Sequence, residues 1–326
     1  MNIRSIARIA SIFVLLICIA LAGCSSPASD DSSETPVGKP ESLTALFGTA
    51  TGPSGLVGAT IAEIMMEEGV KANAEPGGAV SNVQLVSKGE AEYGITMTII
   101  PAIAEKGDYP FDGKYENIAG VCAFYPNFLH VIVDPSIESI DQLKGKSFAS
   151  QPVGQASQTA FADLLTLYGL SEDELNVVRG SQTEGAELMK DGHVVGITAT
   201  TAMPAGAMVE LSSMKTVRFL EISDEACEEM SKINPGYVKT TLPANTYPGQ
   251  DEDIQGVATD LILVARADLS EDEVYWFTKT LAENIDRVKS SHNAMAGMTL
   301  ESMAAVAGIK MHPGAQRYWD EVLGNK

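Results

Sequence analysis

The residues of this chain best suited to chemistry lie in two loops, and the chemistry they suit is the capture of a small anion. The first loop reads Gly48, Thr49, Ala50, Thr51, Gly52, Pro53, Ser54 and Gly55, between a predicted strand and a predicted helix. Glycines let backbone approach a ligand closely, hydroxyls offer hydrogen bonds, and a helix start presents free N–H groups with partial positive charge. Such a turn fits an anionic or carboxylate-bearing ligand; it also fits an ordinary tight turn ahead of a capped helix. It lacks both G-x-G-x-x-G and a phosphate-loop Lys, which argues against a nucleotide. The second loop, Gln151, Pro152, Val153, Gly154, Gln155, Ala156, Ser157, Gln158 and Thr159, leads from another predicted strand into another helix. Two helix starts facing one another across a cleft grip opposite ends of one molecule. The strand end at Met97 and Thr98, and the stretch from Thr198 through Thr200 to Met203, supply side walls in that arrangement.

Covalent and metal chemistry find little support. Ser212 and Lys215 form an S-x-x-K pair, but neither S-D-N nor K-T-G follows. Neither Ser54 nor Ser157 stands in G-x-S-x-G. His130, His193, His292 and His312 are scattered, without H-E-x-x-H or a cysteine pair to hold a metal. The acidic triplets Glu172 to Glu174 and Glu271 to Glu273 each follow a Ser at a predicted helix start, where helix capping accounts for them. The reading is a protein that is not an enzyme and needs neither cofactor nor metal.

These loops need elements to hold them. From Leu43 onward short β-type runs alternate with helical stretches, which predicts βα units and largely parallel sheets. Strands are expected over 43–47, 70–74 and 93–97, with helices over 56–68 and 82–87, the latter capped by Ser81. Apolar runs at 118–124 and 129–133 carry the chain across between lobes. A second set of units begins at Ile140, with strands over 147–149, 176–179, 193–198 and 217–222. Its helices are expected over 157–168, ended by Gly169, over 182–190 behind Ser181, and over 204–211. A strand over 260–265 and helices over 270–289 and 314–323 finish the chain. Two α/β lobes around a cleft are the expected fold, with a single doubly wound domain and a helical tail as the alternative.

The first residues set the compartment. Arg4 and Arg8 precede an apolar run at 9–20 that ends in Leu21, Ala22, Gly23 and Cys24, the layout of a secretory signal with small residues at its cleavage site. The closing cysteine resembles a bacterial lipobox, which implies cleavage before Cys24 and a lipid, such as palmitate, on its thiol. An uncleaved anchor is the alternative, although the run is about a dozen residues against the roughly 20 needed to span a bilayer. Residues 24–41, rich in Ser, Pro, Asp and Glu, read as a flexible leash reaching roughly 20–25 Å. The expected location is extracytoplasmic, anchored to the membrane by lipid. The formal charge is −21, and removal of residues 1–23, which hold two Arg and no acid, leaves −23. Such a charge repels nucleic acid and anionic lipid. Cys122 and Cys227 remain as two distant cysteines, expected as buried thiols, with a bridge between them as the alternative.

One stretch is specific: Leu242, Pro243, Ala244, Asn245, Thr246, Tyr247, Pro248, Gly249, Gln250, Asp251, Glu252 and Asp253. It resembles the tyrosine, proline, glycine, glutamine segment of the TAXI family, solute-binding proteins of tripartite ATP-independent periplasmic (TRAP) transporters. Family-like pieces recur at Phe124 to His130, Glu75 to Asn82, Leu261 to Asp268 and His312 to Tyr318, covering nearly all of 43–321. The resemblance implies a type II periplasmic-binding-protein fold, with 42–133 plus 247–326 as one lobe and 134–246 as the other. It implies a monomer that binds a small organic acid or amino acid, such as glutamate, glutamine or 2-oxoglutarate, and delivers it to a TRAP permease. A sensor of the same fold signalling to a membrane kinase is the alternative. Transferred by position, the binding residues are Thr49, Thr51, Gly52, Ser54, Met97, Thr98, Gln155 and Ser157, beside the wall residue Thr200. The chain departs from the family in having Ser54, Gly55 and Leu56 where aromatic residues precede the helix, and Met97 and Thr98 where an amide and a hydroxyl are common. Both changes enlarge and dry the pocket, which points to a more apolar carboxylate.

Overall fold

The computed structural model describes residues 37–48, 52–153 and 155–324. The predicted leader, Cys24 and most of the leash, as well as Thr49, Thr51 and Gly154, lie outside the described residues. The first units are β1 (Ser42–Phe47), α1 (Pro53–Glu67), β2 (Lys71–Pro76), α2 (Ala79–Ser87), β3 (Tyr93–Met97) and α3 (Ile99–Lys106). The long β4 (Ile118–Val133) leads into β5 (Ser147–Ser150), α4 (Ala156–Leu167), β6 (Asn176–Arg179), α5 (Gln182–Lys190), β7 (Gly196–Thr201) and α6 (Gly206–Met214). Then come β8 (Arg218–Phe219), α7 (Asp224–Ile233), β9 (Val238–Leu242), β10 (Ile254–Arg266), α8 (Glu271–Glu283), α9 (Ile285–Ser291), α10 (Leu300–Ala304) and α11 (Pro313–Leu323).

Among the described residues one sheet joins every strand, in the order β2-β1-β3-β10-β4-β7-β5-β6, with β8 on β4 and β9 on β10. β2, β1 and β3 are parallel, and so are β7, β5 and β6. Between these sets β10 and β4 run antiparallel to one another and to their outer neighbours. The apolar runs expected at 118–124 and 129–133 are therefore a single strand of 16 residues, buried throughout except at Pro126 and the half-buried Ile118. Proline has no N–H for a ladder, and here it needs none on its outer side, because β7 reaches only as far as Phe128. Among the described residues, the outer edge of β4 below that point meets a single bridge, from Met311 to Gly120.

Two layers of helices supply the main cores. On the β1-β3 side Tyr93 stacks on Phe277 at 4.1 Å, and Trp319 donates its indole N–H to Val121 O at 2.9 Å. On the β5-β7 side Phe148 stacks on Phe161 at 4.9 Å. Cys122 belongs to the first core and Cys227 to the second, and both are free thiols. Burial pushes Cys227 up to about 11 and Cys122 further.

Several local expectations shift. α2 begins three residues before the expected 82, because Gly78 is its cap and Ser81 its third residue; the Ser81 hydroxyl accepts the Gly78 N–H at 3.0 Å. The expected helix over 270–289 breaks at Asn284 into α8 and α9. Ser270 caps α8 by accepting the Glu273 N–H at 3.1 Å, as expected, whereas Glu271 and Asp272 pair with Arg317 of α11 at 2.8 Å each. Glu172 likewise does more than cap. It forms a bidentate pair with Arg179 at 2.7 and 2.8 Å and accepts from Ser150 and Gln158, tying the carboxyl ends of β5 and β6 to α4.

Candidate functional site

The register shows where a ligand fits. Met97, the last residue of β3, stands opposite Leu261, which stands opposite Tyr125 of β4. Thr201, the last residue of β7, stands opposite Phe128. The two parallel sets thus point their carboxyl ends at one another across a gap of three residues on β4, about 10 Å at the rise of a strand. Loops at the carboxyl ends of parallel strands are where open α/β sheets bind ligands.

A cavity of about 470 Å³ occupies this gap. From one side it is bounded by the first turn of α2, Gly78 to Ser81, and from the other by the first turn of α4, Gln155 to Ser157. Among the described residues, no side chain caps α4, whose cap residue is Gln155. The start of α2 is tied back to β1 by Asn82, whose amide donates to Leu46 O and Ile95 O at 3.2 and 2.9 Å while its oxygen accepts the Gly78 N–H. Gly77 is needed there, since a Cβ would lie 1.9 Å from the Asn82 amide oxygen. Met97, Ile100 and Val80 give apolar wall. No described residue of the lining carries a charged side chain, so the field inside comes from the ends of two helices.

One unmet polar group lies in the lining and a second on the same face of the sheet outside it. Thr200 lines the cavity, is 6% exposed, and its hydroxyl has no hydrogen-bond partner among the described residues. Asn127 shares its sheet face, two residues along β4 from Leu129, the partner of Thr200. Its amide nitrogen is buried and also without a partner among the described residues. Buried polar atoms left open in this way are costly unless something fills them.

Of the residues singled out from sequence, Met97, Gln155, Ser157 and Thr200 line this one cavity. Ser157 is turned inward: its hydroxyl accepts the Thr200 N–H at 3.1 Å and lies 3.3 Å from Thr200 O, so it positions β7 against α4. Thr98 is fully buried; it donates to Gly236 O at 2.6 Å and accepts the Asp260 N–H at 3.0 Å, so its hydroxyl is spent on backbone. Gly52 and Ser54 cap and begin α1, outside the lining of this cavity, and Thr49 and Thr51 lie outside the described residues. Sequence reasoning missed the α2 start and Asn127. The glycine pair Gly77 and Gly78 behind β2 was the available signal for the first.

The most specific sequence motif forms a structural lock. His130 Nδ1 lies 2.9 Å from Phe128 O and 3.1 Å from Ala199 O, so it carries the proton and donates. Its bare Nε2 accepts the Tyr247 hydroxyl at 2.8 Å, and the same hydroxyl oxygen accepts the Ala205 N–H at 2.9 Å. Gln250 folds the motif on itself, accepting from Thr246 N and Tyr247 N and donating to Pro243 O. The other histidines with defined partners, His292 and His312, cap short and long helical turns. Among the described residues no group of three or more His, Cys, Asp or Glu is placed to hold a metal ion.

Opposed carboxyl edges, two crossing strands and a cavity between define the two-lobed α/β fold of the periplasmic-binding-protein class. Residues 47–322 match the NMT1-like family, and the chain belongs to that family. Among solved structures, XAC2383 from Xanthomonas citri, bound to ATP, aligns with a TM-score of 0.51 at 10% identity, over 87% of this chain and 96% of that one. The periplasmic aliphatic sulphonate binding protein SsuA from Escherichia coli aligns with a TM-score of 0.49 at 14% identity, over 88% of each chain. At 10% identity the likeness to XAC2383 speaks for the fold alone. Among the described residues no helix is long and apolar enough to cross a membrane.

Proposed function

We propose that this chain is an extracytoplasmic, lipid-anchored solute receptor of the TAXI kind, which binds a small carboxylate and delivers it to a TRAP permease. The observation that carries the reading is the convergence of two helix starts and the open Thr200 hydroxyl on one cavity of about 470 Å³. The helix ends hold an anionic head without a cationic side chain, and Met97, Ile100 and Val80 hold an apolar body. The ligand of this reading is a carboxylate more apolar than glutamate or 2-oxoglutarate. No bond is made or broken. Contacts from both sides of the gap stabilise a closed state, which the permease reads. The lobes of the proposal are 42–133 with 247–326, and 134–246. Thr49, Thr51, Gly52 and Ser54 belong to the proposal as first-loop contacts made on closure.

A thermal-shift screen of organic and amino acids identifies the ligand by stabilisation on binding. Thr200→Val then tests the site. It removes an unmet hydroxyl while keeping shape, so affinity by calorimetry is expected to fall roughly tenfold or more, the worth of one hydrogen bond to a charged group. The melting temperature of the free protein is expected to hold or rise. Unchanged affinity would take Thr200 out of the site, and failure of every acid to stabilise the protein would remove the receptor reading.

A further inference from the structure

A second cavity, of about 260 Å³, lies at the β4 edge that β7 leaves uncovered, and it shares no residue with the first. β4 bulges there: Ile262 pairs with Ala123 and Leu261 with Tyr125, which leaves Phe124 as the extra residue. The turn and helix that follow α9 close the space with Met298 and Ser302. Asp260 supplies the charge. It is half-buried, follows Thr259 and so faces the other side of the sheet from it, and its backbone is fixed at both ends by Thr98. Its carboxyl group makes no hydrogen bond and no ion pair among the described residues.

A carboxylate held half out of water with no partner is unfavourable, whereas the half-buried Glu172 is answered by Arg179. The remaining lining matches a cation. Phe124 and Tyr125 are aromatic and Met298 brings a polarizable thioether, while the Ser302 hydroxyl is engaged with the Thr299 backbone at the start of α10 and only borders the space. We infer that this cavity is a second ligand site, and that it takes a small primary organic ammonium with its nitrogen on Asp260 and its alkyl part against Phe124, Tyr125 and Met298. An ammonium nitrogen offers three donors, enough for both oxygens of the carboxylate. The inference is independent of the cargo bound between the helix starts.

Burial alone raises the Asp260 carboxyl to about 6. The other titratable side chain of the described lining is Tyr125, which burial pushes to about 12 and which therefore stays neutral. Ammonium binding is accordingly strongest above pH 6, and at pH 5 about one carboxyl in ten is ionised, which predicts roughly tenfold weaker binding.

The experiment is calorimetric titration of the protein with methylammonium, ethylammonium and ethanolamine at pH 7.5 and pH 5, for the wild type and Asp260→Asn. The expected result is saturable binding to the wild type at pH 7.5, about tenfold weaker at pH 5, and lost in D260N. D260N should melt no lower than the wild type, because it removes an unpaired charge from a half-buried place. Equal binding by D260N, no uptake of any of the three amines at millimolar concentration, or equal competition by sodium chloride and tetramethylammonium would each overturn the inference.

Discussion

Tyr247→Phe is expected to lower the free energy of unfolding by about 2–5 kcal/mol, with no change in the ring packing around it. The phenylalanine ring keeps the stack on Phe219, whose centroid lies 5.1 Å away at 14°. What goes is one oxygen that serves two buried partners. His130 Nε2 loses its donor and the Ala205 N–H loses its acceptor, and each buried group left open costs about 1–3 kcal/mol. Equilibrium denaturation of the two proteins measures the difference. A His130→Asn background sharpens it, since part of the Tyr247→Phe cost should vanish once His130 no longer presents Nε2. A loss below about 0.5 kcal/mol would mean that the hydroxyl is not holding these segments together.

The same histidine should make stability depend on pH, with a sign that its surroundings fix. Burial lowers His130 to about 4, partly opposed by its bonds to Ala199 O and Phe128 O, against an ordinary value of 6.5. Between those values the unfolded chain takes up a proton that the folded chain refuses. The stabilisation is therefore complete above pH 6.5 and lost as pH falls to 4, by about 3 kcal/mol. Asp260 acts in the opposite sense, because its folded value of about 6 lies above the usual 3.8. The folded state binds the extra proton, so acidification from pH 6 to 3.8 adds up to about 3 kcal/mol. The two nearly cancel. Wild type is expected to show little net change from this pair between pH 6 and 4, whereas D260N should lose about 2 kcal/mol there and His130→Asn should gain by a similar amount. Denaturation midpoints at pH 7.5, 6, 5 and 4 read this directly, and D260N tracking the wild type at every pH would refute it.

Much of the framework is legible along the chain, where the signals are local. The strand at 93–97 and the helix at 182–190 behind Ser181 match the expected bounds, because alternation, a hydroxyl cap and a basic last turn all lie within a few residues. α3 was not expected: its first six residues, Ile99 to Ala104, are all apolar and its charged residues, Glu105 and Lys106, come only at the end, so the sequence of this short helix offers no helical period to read. β4 looked like two elements because Pro126 interrupts an apolar run, and only the reach of β7 makes that proline harmless. The second loop and Thr200 could be named as cavity residues from their place after strands. That Thr98 and Ser157 turn their hydroxyls to backbone could not, since their partners Gly236 and Thr200 lie 138 and 43 residues away. The unmet groups of Thr200 and Asn127 are likewise properties of three-dimensional neighbours.

The two free cysteines give this protein a built-in clock. Cys122 is wholly enclosed and Cys227 is 1% exposed, and burial holds both as unreactive thiols. A thiol reagent can label them only in molecules that have opened the core around them. In a chain lacking residues 1–24, the labelling rate at low reagent follows the population of the open form, and at high reagent it follows the opening rate itself. Because the thiols sit in different cores, Cys122 beneath the β1-β3 side and Cys227 beneath the β5-β7 side, comparing their rates tells whether the two ends of the sheet come apart together or one at a time.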